Sequence, residues 1–236
     1  MCGRYRLKDP KRAFAWLEVV PQADFLPRFN IAPTQQVPVV NSAGSLEAMQ
    51  WGMVPAWRGE PAKVLINARS ETIREKRTFK KAFAQRRCLV PADGFYEWRR
   101  VDKRPYLFEL AGQAPFAIGG IWEPGEDTSR CCLLLTTAAN SLLASIHDRM
   151  PVIVRTEDRD EWLANGELGE VGFQRMTKPY SPEEMSAVAV SPIVNSAKVD
   201  DSRCSEPDRS AAKLAIARKE PANEDGRQTF LDLGIS

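Results

Sequence analysis

Cys88-Leu89-Val90-Pro91-Ala92-Asp93-Gly94-Phe95-Tyr96-Glu97-Trp98 reads as two short strands in quick succession, Cys88 to Pro91 and Gly94 to Arg99. Three more follow, over Pro105 to Leu110, Pro115 to Trp122 and Cys131 to Thr137. Towards the amino terminus, residues 2 to 7 form another short extended run. Val37 to Val40 and Leu46 to Gln50 flank Asn41-Ser42-Ala43-Gly44, a hairpin signal. Ile66 to Arg69 is extended, and Asn30 to Thr34 is a turn-rich loop. Pro151 to Val154 and Ser186 to Ser191 add strands on the carboxyl side. Helices interleave irregularly. Asp9-Pro10 is an N-cap with a first-turn proline, and Phe14, Leu17 and Val20 predict a helical face up to Pro21. A basic helical segment starts at Ser70, and shorter helices lie over Asn140 to Ile146 and near Asp158 to Leu163. Many short strands without βα alternation argue for α+β, with a mainly antiparallel, barrel-like sheet core and peripheral helices.

The 236 residues are 43% hydrophobic, enough for one large core, and the net charge is only +2. Any nucleic-acid contact therefore needs a local basic patch. Arg4, Arg6, Lys8 and Asp9 interrupt the amino terminus, so no secretory signal is expected, and no run is long and apolar enough for a membrane helix. Five cysteines without a C-x-x-C, and a single histidine, argue against disulfides and a metal site. Cys131-Cys132 read as buried strand thiols, and the expected compartment is the reducing cytoplasm. Residues 207–236 change in composition and are expected to form a tail, partly helical or disordered, behind one domain over 1–206.

Cys2 is the reactive candidate. With Met1 removed it carries a free α-amine and a thiol on adjacent carbons, with ordinary pKa values near 8 and 8.5. That pair traps an aldehyde: the amine condenses to an imine and the thiolate closes a thiazolidine. His147, in Ile146-His147-Asp148-Arg149-Met150-Pro151, sits in a loop after a short helix. Glu97 lies among Phe95, Tyr96 and Trp98; desolvation there would raise its pKa towards general acid–base use, whereas an edge strand would pair it with Arg99. Cys2/Arg4, Asn67/Arg69 and His147/Arg149 each set a polar or reactive group two residues before an arginine, on one face of an extended chain. Arginine forks suit phosphate. Pro33, Trp51 and Trp57 sit in irregular loops, where aromatics either stack on bases or cap the core. The basic run Arg74 to Arg87 either follows a nucleic-acid backbone or is a solvated helix face.

Met1-Cys2-Gly3-Arg4, Asn30-Ile31-Ala32-Pro33, Trp51-Gly52 with Pro55 and Trp57, Ile66 to Thr72, Cys88 to Trp98 and Ile146 to Pro151 occur together in order. Over roughly residues 2 to 205 the chain resembles the SOS response-associated peptidase (SRAP) family of abasic-site processing proteins. The resemblance implies a compact α+β domain with a curved antiparallel sheet and a basic cleft. It also implies capture of abasic sites in single-stranded DNA as a covalent thiazolidine, without cofactor, metal or membrane and by a monomer. By position, Cys2 would be the nucleophile, Asn67 would orient its amine, Glu97 would shuttle protons and His147 would contact the sugar. Arg4, Arg69 and Arg149 would hold phosphates, with Pro33, Trp57 and Thr136 as further DNA contacts. The family name also implies an autopeptidase activity that removes Met1, with a cellular aminopeptidase as the alternative route. Two other readings stay open: an N-terminal-nucleophile cysteine amidohydrolase, and a non-catalytic single-strand binder.

Overall fold

The computed structural model describes residues 2–21, 23–54, 64–125 and 129–208. Its strands are β1 (Arg4–Leu7), β2 (Arg28–Ile31), β3 (Gln36–Val40), β4 (Leu46–Trp51), β5 (Asn67–Arg69), β6 (Arg87–Ala92), β7 (Gly94–Trp98), β8 (Pro105–Leu110), β9 (Phe116–Pro124), β10 (Arg130–Ala138), β11 (Arg149–Pro151), β12 (Ile153–Val154) and β13 (Met185–Ala189). Helices α1 (Pro10–Trp16), α2 (Arg77–Gln85), α3 (Ser141–Ala144), α4 (Arg159–Leu163) and α5 (Glu170–Thr177) lie between them. The α+β class and the barrel-like core are as expected.

The barrel closes through five strands. β10 pairs with β4, β4 with β3, β3 with β6, β6 with β9, and β9 returns to β10. The β10–β4 pair is parallel (Cys132 opposite Trp51), as is β10–β5 (Leu134 opposite Asn67); the other pairs are antiparallel. Asn41 builds the β3–β4 turn, its side-chain oxygen accepting from the N–H groups of Ala43 and Ser45. A Cβ at Gly120 would stand 2.8 Å from the Leu133 carbonyl oxygen, so the β9–β10 closure needs glycine there.

A second sheet runs β13-β8-β7-β1-β2. Its two faces are both covered. Phe95 stacks on Phe108 with centroids 5.1 Å apart and meets Phe116 of the barrel edge-on. On the other face Tyr96, Leu107, Val190, Val194 and Cys204 form a smaller cluster. Both faces being covered, β7 is buried continuously from Gly94 to Glu97, with Trp98 half-buried, and does not alternate.

Three expectations need correction, and one helix had no expectation at all. The helix at Pro10 stops at Trp16 because Glu18 takes a left-handed φ of 55°; Val20, meant for its apolar face, is 85% exposed. Asn30 and Ile31 belong to β2, not to a loop, because β1 offers them a pairing edge. The basic helix is broken: a 3₁₀ turn spans Ser70–Thr72, Lys76 is extended, and α2 begins at Arg77. A continuous helix would set Ile73 and Phe79 about 120° apart. The break lets both bury. Helix α5 was not foreseen; its polar exterior hides the few buried positions at Gly172, Met176 and Thr177.

The Cys131–Cys132 reading holds, with both thiols buried and free. The tail from 209 onward lies outside the described residues, and Pro207 and Asp208 are still bonded beside β13, at Val190 and Ala189.

Candidate active site

Strand β1 places Cys2. It is held between β2 and β7, with Arg4 opposite Tyr96 and Tyr5 opposite Ile31. Cys2, two residues upstream, is fully buried, and its Sγ lies 3.8 Å from the Arg4 carbonyl oxygen. Burial pushes the thiol well above its ordinary value, and the Glu97 carboxylate adds to the shift. The resting sulfur is therefore a thiol.

The parallel strand β5 brings Asn67 to the same place. Its Nδ2 donates to the Cys2 carbonyl oxygen at 2.8 Å. Its Oδ1 is buried and has no hydrogen-bond partner among the described residues. An acceptor left so is costly.

Glu97 is 3% exposed on β7, between β1 and β8. The edge-strand alternative fails, because Arg99 pairs with Asp102. Burial pushes Glu97 up to about 7, against the opposing pull of the chain's positive amino terminus. At neutral pH it is split between acid and base.

His147 follows α3, whose N-cap Asn140 accepts from the Leu143 N–H. Its Nδ1 lies 3.0 Å from the Arg149 N–H and 3.1 Å from Asp148 Oδ1. Burial lowers its pKa, and the amino-terminal charge lowers it further. The N–H contact is therefore the one that governs: Nδ1 accepts, and the ring proton sits on Nε2. Asp148 turns instead to Arg100 at 2.6 Å.

The arginines differ in availability. Arg69 is exposed and makes no hydrogen bond or ion pair with the described residues. Arg4 is a brace: it donates to Asn30 Oδ1 and the Val194 carbonyl, both at 2.7 Å, and lies 5.9 Å from the Trp98 ring. Arg149 donates to Glu71 and to the Thr136 carbonyl. Thr136 is fully buried on β10, opposite Arg69 and Pro151, so its side chain backs the site. Pro33 is half-buried just before Thr34, which has a φ of 72°. Trp57 lies outside the described residues. Trp51 is core, with Nε1 donating to the Ile66 carbonyl.

Sequence reasoning missed the support of β1. Asn30 is fully buried, and its Nδ2 reaches the carbonyls of Val194, Ser196 and Val199. Trp98 Nε1 donates to Asn195 Oδ1 at 2.7 Å. Asn30 stood in a block already singled out, but its partners lie more than 160 residues away. The basic run divides: Arg74 binds Glu170, Arg86 binds Glu123, and Arg87 is buried among carbonyls including Phe83 and Trp162. Lys76, Arg77, Lys80 and Lys81 remain exposed.

Fold and site define an α+β barrel protein with a buried cysteine at position 2 whose carbonyl is held by an amide and whose thiol feels a carboxyl of raised pKa. The chain belongs to the SOS response associated peptidase (SRAP) family, whose model matches residues 1–197. Abasic site processing protein YoqW of Bacillus subtilis (strain 168) is 36% identical over 215 residues, covering 84% of this chain and 96% of that protein. Abasic site processing protein HMCES of Xenopus tropicalis is 30% identical over 253 residues, covering 88% and 72%. A solved protein from Bacteroides thetaiotaomicron matches in fold with a TM-score of 0.72 at 24% identity, covering 86% and 98%. One from Bordetella bronchiseptica gives 0.68 at 26% identity, covering 80% and 100%.

Proposed function

We propose that this protein processes abasic sites in single-stranded DNA by covalent capture. The observation that carries the reading is the Asn67 amide: Nδ2 holds the Cys2 carbonyl while the buried Oδ1 awaits a donor. Removal of Met1, by the protein itself or by another peptidase, would turn the Cys2 nitrogen into an amine that can supply one.

The chemistry follows from the protonation states. An abasic deoxyribose is mostly a closed hemiacetal. Opening it removes the proton of the anomeric hydroxyl and protonates the ring oxygen, and a carboxyl with a pKa of about 7 can do both. The Cys2 amine adds to the aldehyde, and the resulting carbinolamine takes up a proton from solvent and loses water to give an iminium. The thiol then adds to that carbon, its proton passing to the Glu97 carboxylate, and the five-membered ring closes. Net, aldehyde and aminothiol become thiazolidine and water. His147, neutral with its proton on Nε2, is suited to donate to a sugar oxygen. Arg69 and Arg149 would receive flanking phosphates, and Arg4 holds the strand that carries Cys2.

The test is incubation of the processed protein with a single strand carrying one abasic site, followed by a denaturing gel. A shifted band that needs the lesion and vanishes in Cys2→Ala is expected; its absence from wild type would sink the reading.

A further inference from the structure

The Arg149 fork is already filled. Nη1 and Nη2 donate to the two carboxylate oxygens of Glu71 at 2.6 and 2.8 Å. This end-on pair of N–H···O bonds has the geometry with which a guanidinium grips a phosphate. The partners are unequally placed. The Arg149 side chain is 13% exposed and pinned from behind by the Thr136 carbonyl at 2.6 Å, whereas Glu71 is 49% exposed on the 3₁₀ turn after β5. The cation is fixed, and the anion is free to swing into solvent. Glu71 regains water when it leaves, and an incoming phosphate restores a partner to the mostly buried Arg149, so exchanging one anion for the other leaves no buried charge unpaired. Glu71 also feels Arg69, which with the Arg149 hydrogen bonds keeps its carboxyl below the ordinary range. One carboxylate thus holds Arg149 and feels Arg69.

We propose that Glu71 is a resident counter-anion of this clamp: it holds the Arg149 fork in the free protein and is displaced by a phosphate of an incoming single strand. The inference rests on the DNA-binding reading above. Displacement burdens every strand equally, while covalent capture is open only to a strand with an aldehyde. Glu71 therefore weakens retention of intact DNA and leaves the lesion as the route to lasting attachment.

The experiment is fluorescence anisotropy with a labelled intact oligothymidylate across a salt series, using wild type, Glu71→Gln, Arg149→Gln and the double variant. Glu71→Gln should bind several-fold tighter at moderate salt with much the same log–log salt slope, because Arg149 meets the same phosphate in both proteins but has no carboxylate to give up first. The gain should disappear when Arg149 is also Gln. An unchanged affinity would overturn the proposal, as would weaker binding, which would make Glu71 a strut. A gain that survives Arg149→Gln would overturn it too. If Glu71→Gln fails to fold, Glu71→Asp, too short to span the fork, carries the same expectation. Wild type that does not bind the oligonucleotide at any salt would instead defeat the functional reading.

Discussion

Asn67 donates its side-chain N–H to the carbonyl of Cys2 at 2.8 Å across 65 residues of sequence. Strand β5, paired with barrel strand β10, thereby fixes the Cys2 carbonyl next to the residue's nitrogen and sulfur. Asn67→Ala should slow crosslink formation by about ten- to a hundred-fold, the scale on which small misplacements of reacting groups act. Timed denaturing gels at saturating DNA read this directly. A rate equal to wild type would remove Asn67 from the mechanism.

Glu97 makes a prediction with a definite sign. Its pKa is raised from 4.5 to about 7 by burial, so the folded state holds a proton that the unfolded state releases. Stability from this group is lost as pH rises from about 4.5 through about 7. Glu97→Gln should therefore be more stable than wild type at pH 8, by up to about 3 kcal/mol, with the gain shrinking at acid pH. Urea melts at several pH values measure it. In crosslinking, wild type should accelerate through about pH 7 as the carboxylate forms to accept the thiol proton. Glu97→Gln should lose that inflection and keep only the later rise from its amine.

Asn30 ties β2 to both Arg4 and the 194–199 segment. Asn30→Ala leaves the Arg4 guanidinium and several buried carbonyls short of partners. A loss of about 2–4 kcal/mol follows from the desolvation cost of such groups. Denaturant unfolding would show it as a lower midpoint at unchanged slope. A loss below about 0.5 kcal/mol would mean that water replaces the amide.

Gly120 tests the closure of the barrel. A Cβ there would lie 2.8 Å from the Leu133 carbonyl oxygen and 3.0 Å from Cys88 Sγ. The backbone contact cannot rotate away. Gly120→Ala should cost about 1–3 kcal/mol, as overpacking does. Gly44→Ala, at a turn with open space around it but a φ of +73°, should be milder and arise from backbone strain alone. Equal losses would deny the closure a special steric demand.

What was legible in the sequence was what repeats locally. The β-rich runs around Cys88 to Trp98, the Asp9 cap and the Asn41 turn each carry their signal within a few residues, and the structure has all three. The family blocks led to Cys2, Asn67, Glu97 and His147, and the structure ties Asn67 to Cys2 and sets the Glu97 carboxylate within electrostatic reach of the Cys2 thiol. What stayed hidden depends on partners far along the chain. The parallel β10–β4 closure joins Cys132 to Trp51 with no local mark. The break before α2 comes from Ile73 and Phe79 both needing the core, which a basic helical pattern conceals. Arg4 was paired with Cys2 by spacing, but its donors went to Asn30 and Val194, because β2 and the 194–195 turn lie beside it.

Arg69 closes the series because its surroundings differ from those of the other arginines. It is exposed beside the fully buried Thr136, with no ion pair to the described residues, whereas Arg4 and Arg149 are engaged. A guanidinium already in water has no internal partner to give up when it meets a phosphate. Arg69→Ala should weaken binding of intact and lesion-bearing single strands alike and flatten the salt slope by about 0.7. Its thermal midpoint should match wild type, since no described contact is lost. Anisotropy at several salt concentrations separates the outcomes. A weaker affinity with an unchanged slope would mean that Arg69 acts through packing against a base, and an unchanged affinity would take it out of the interface.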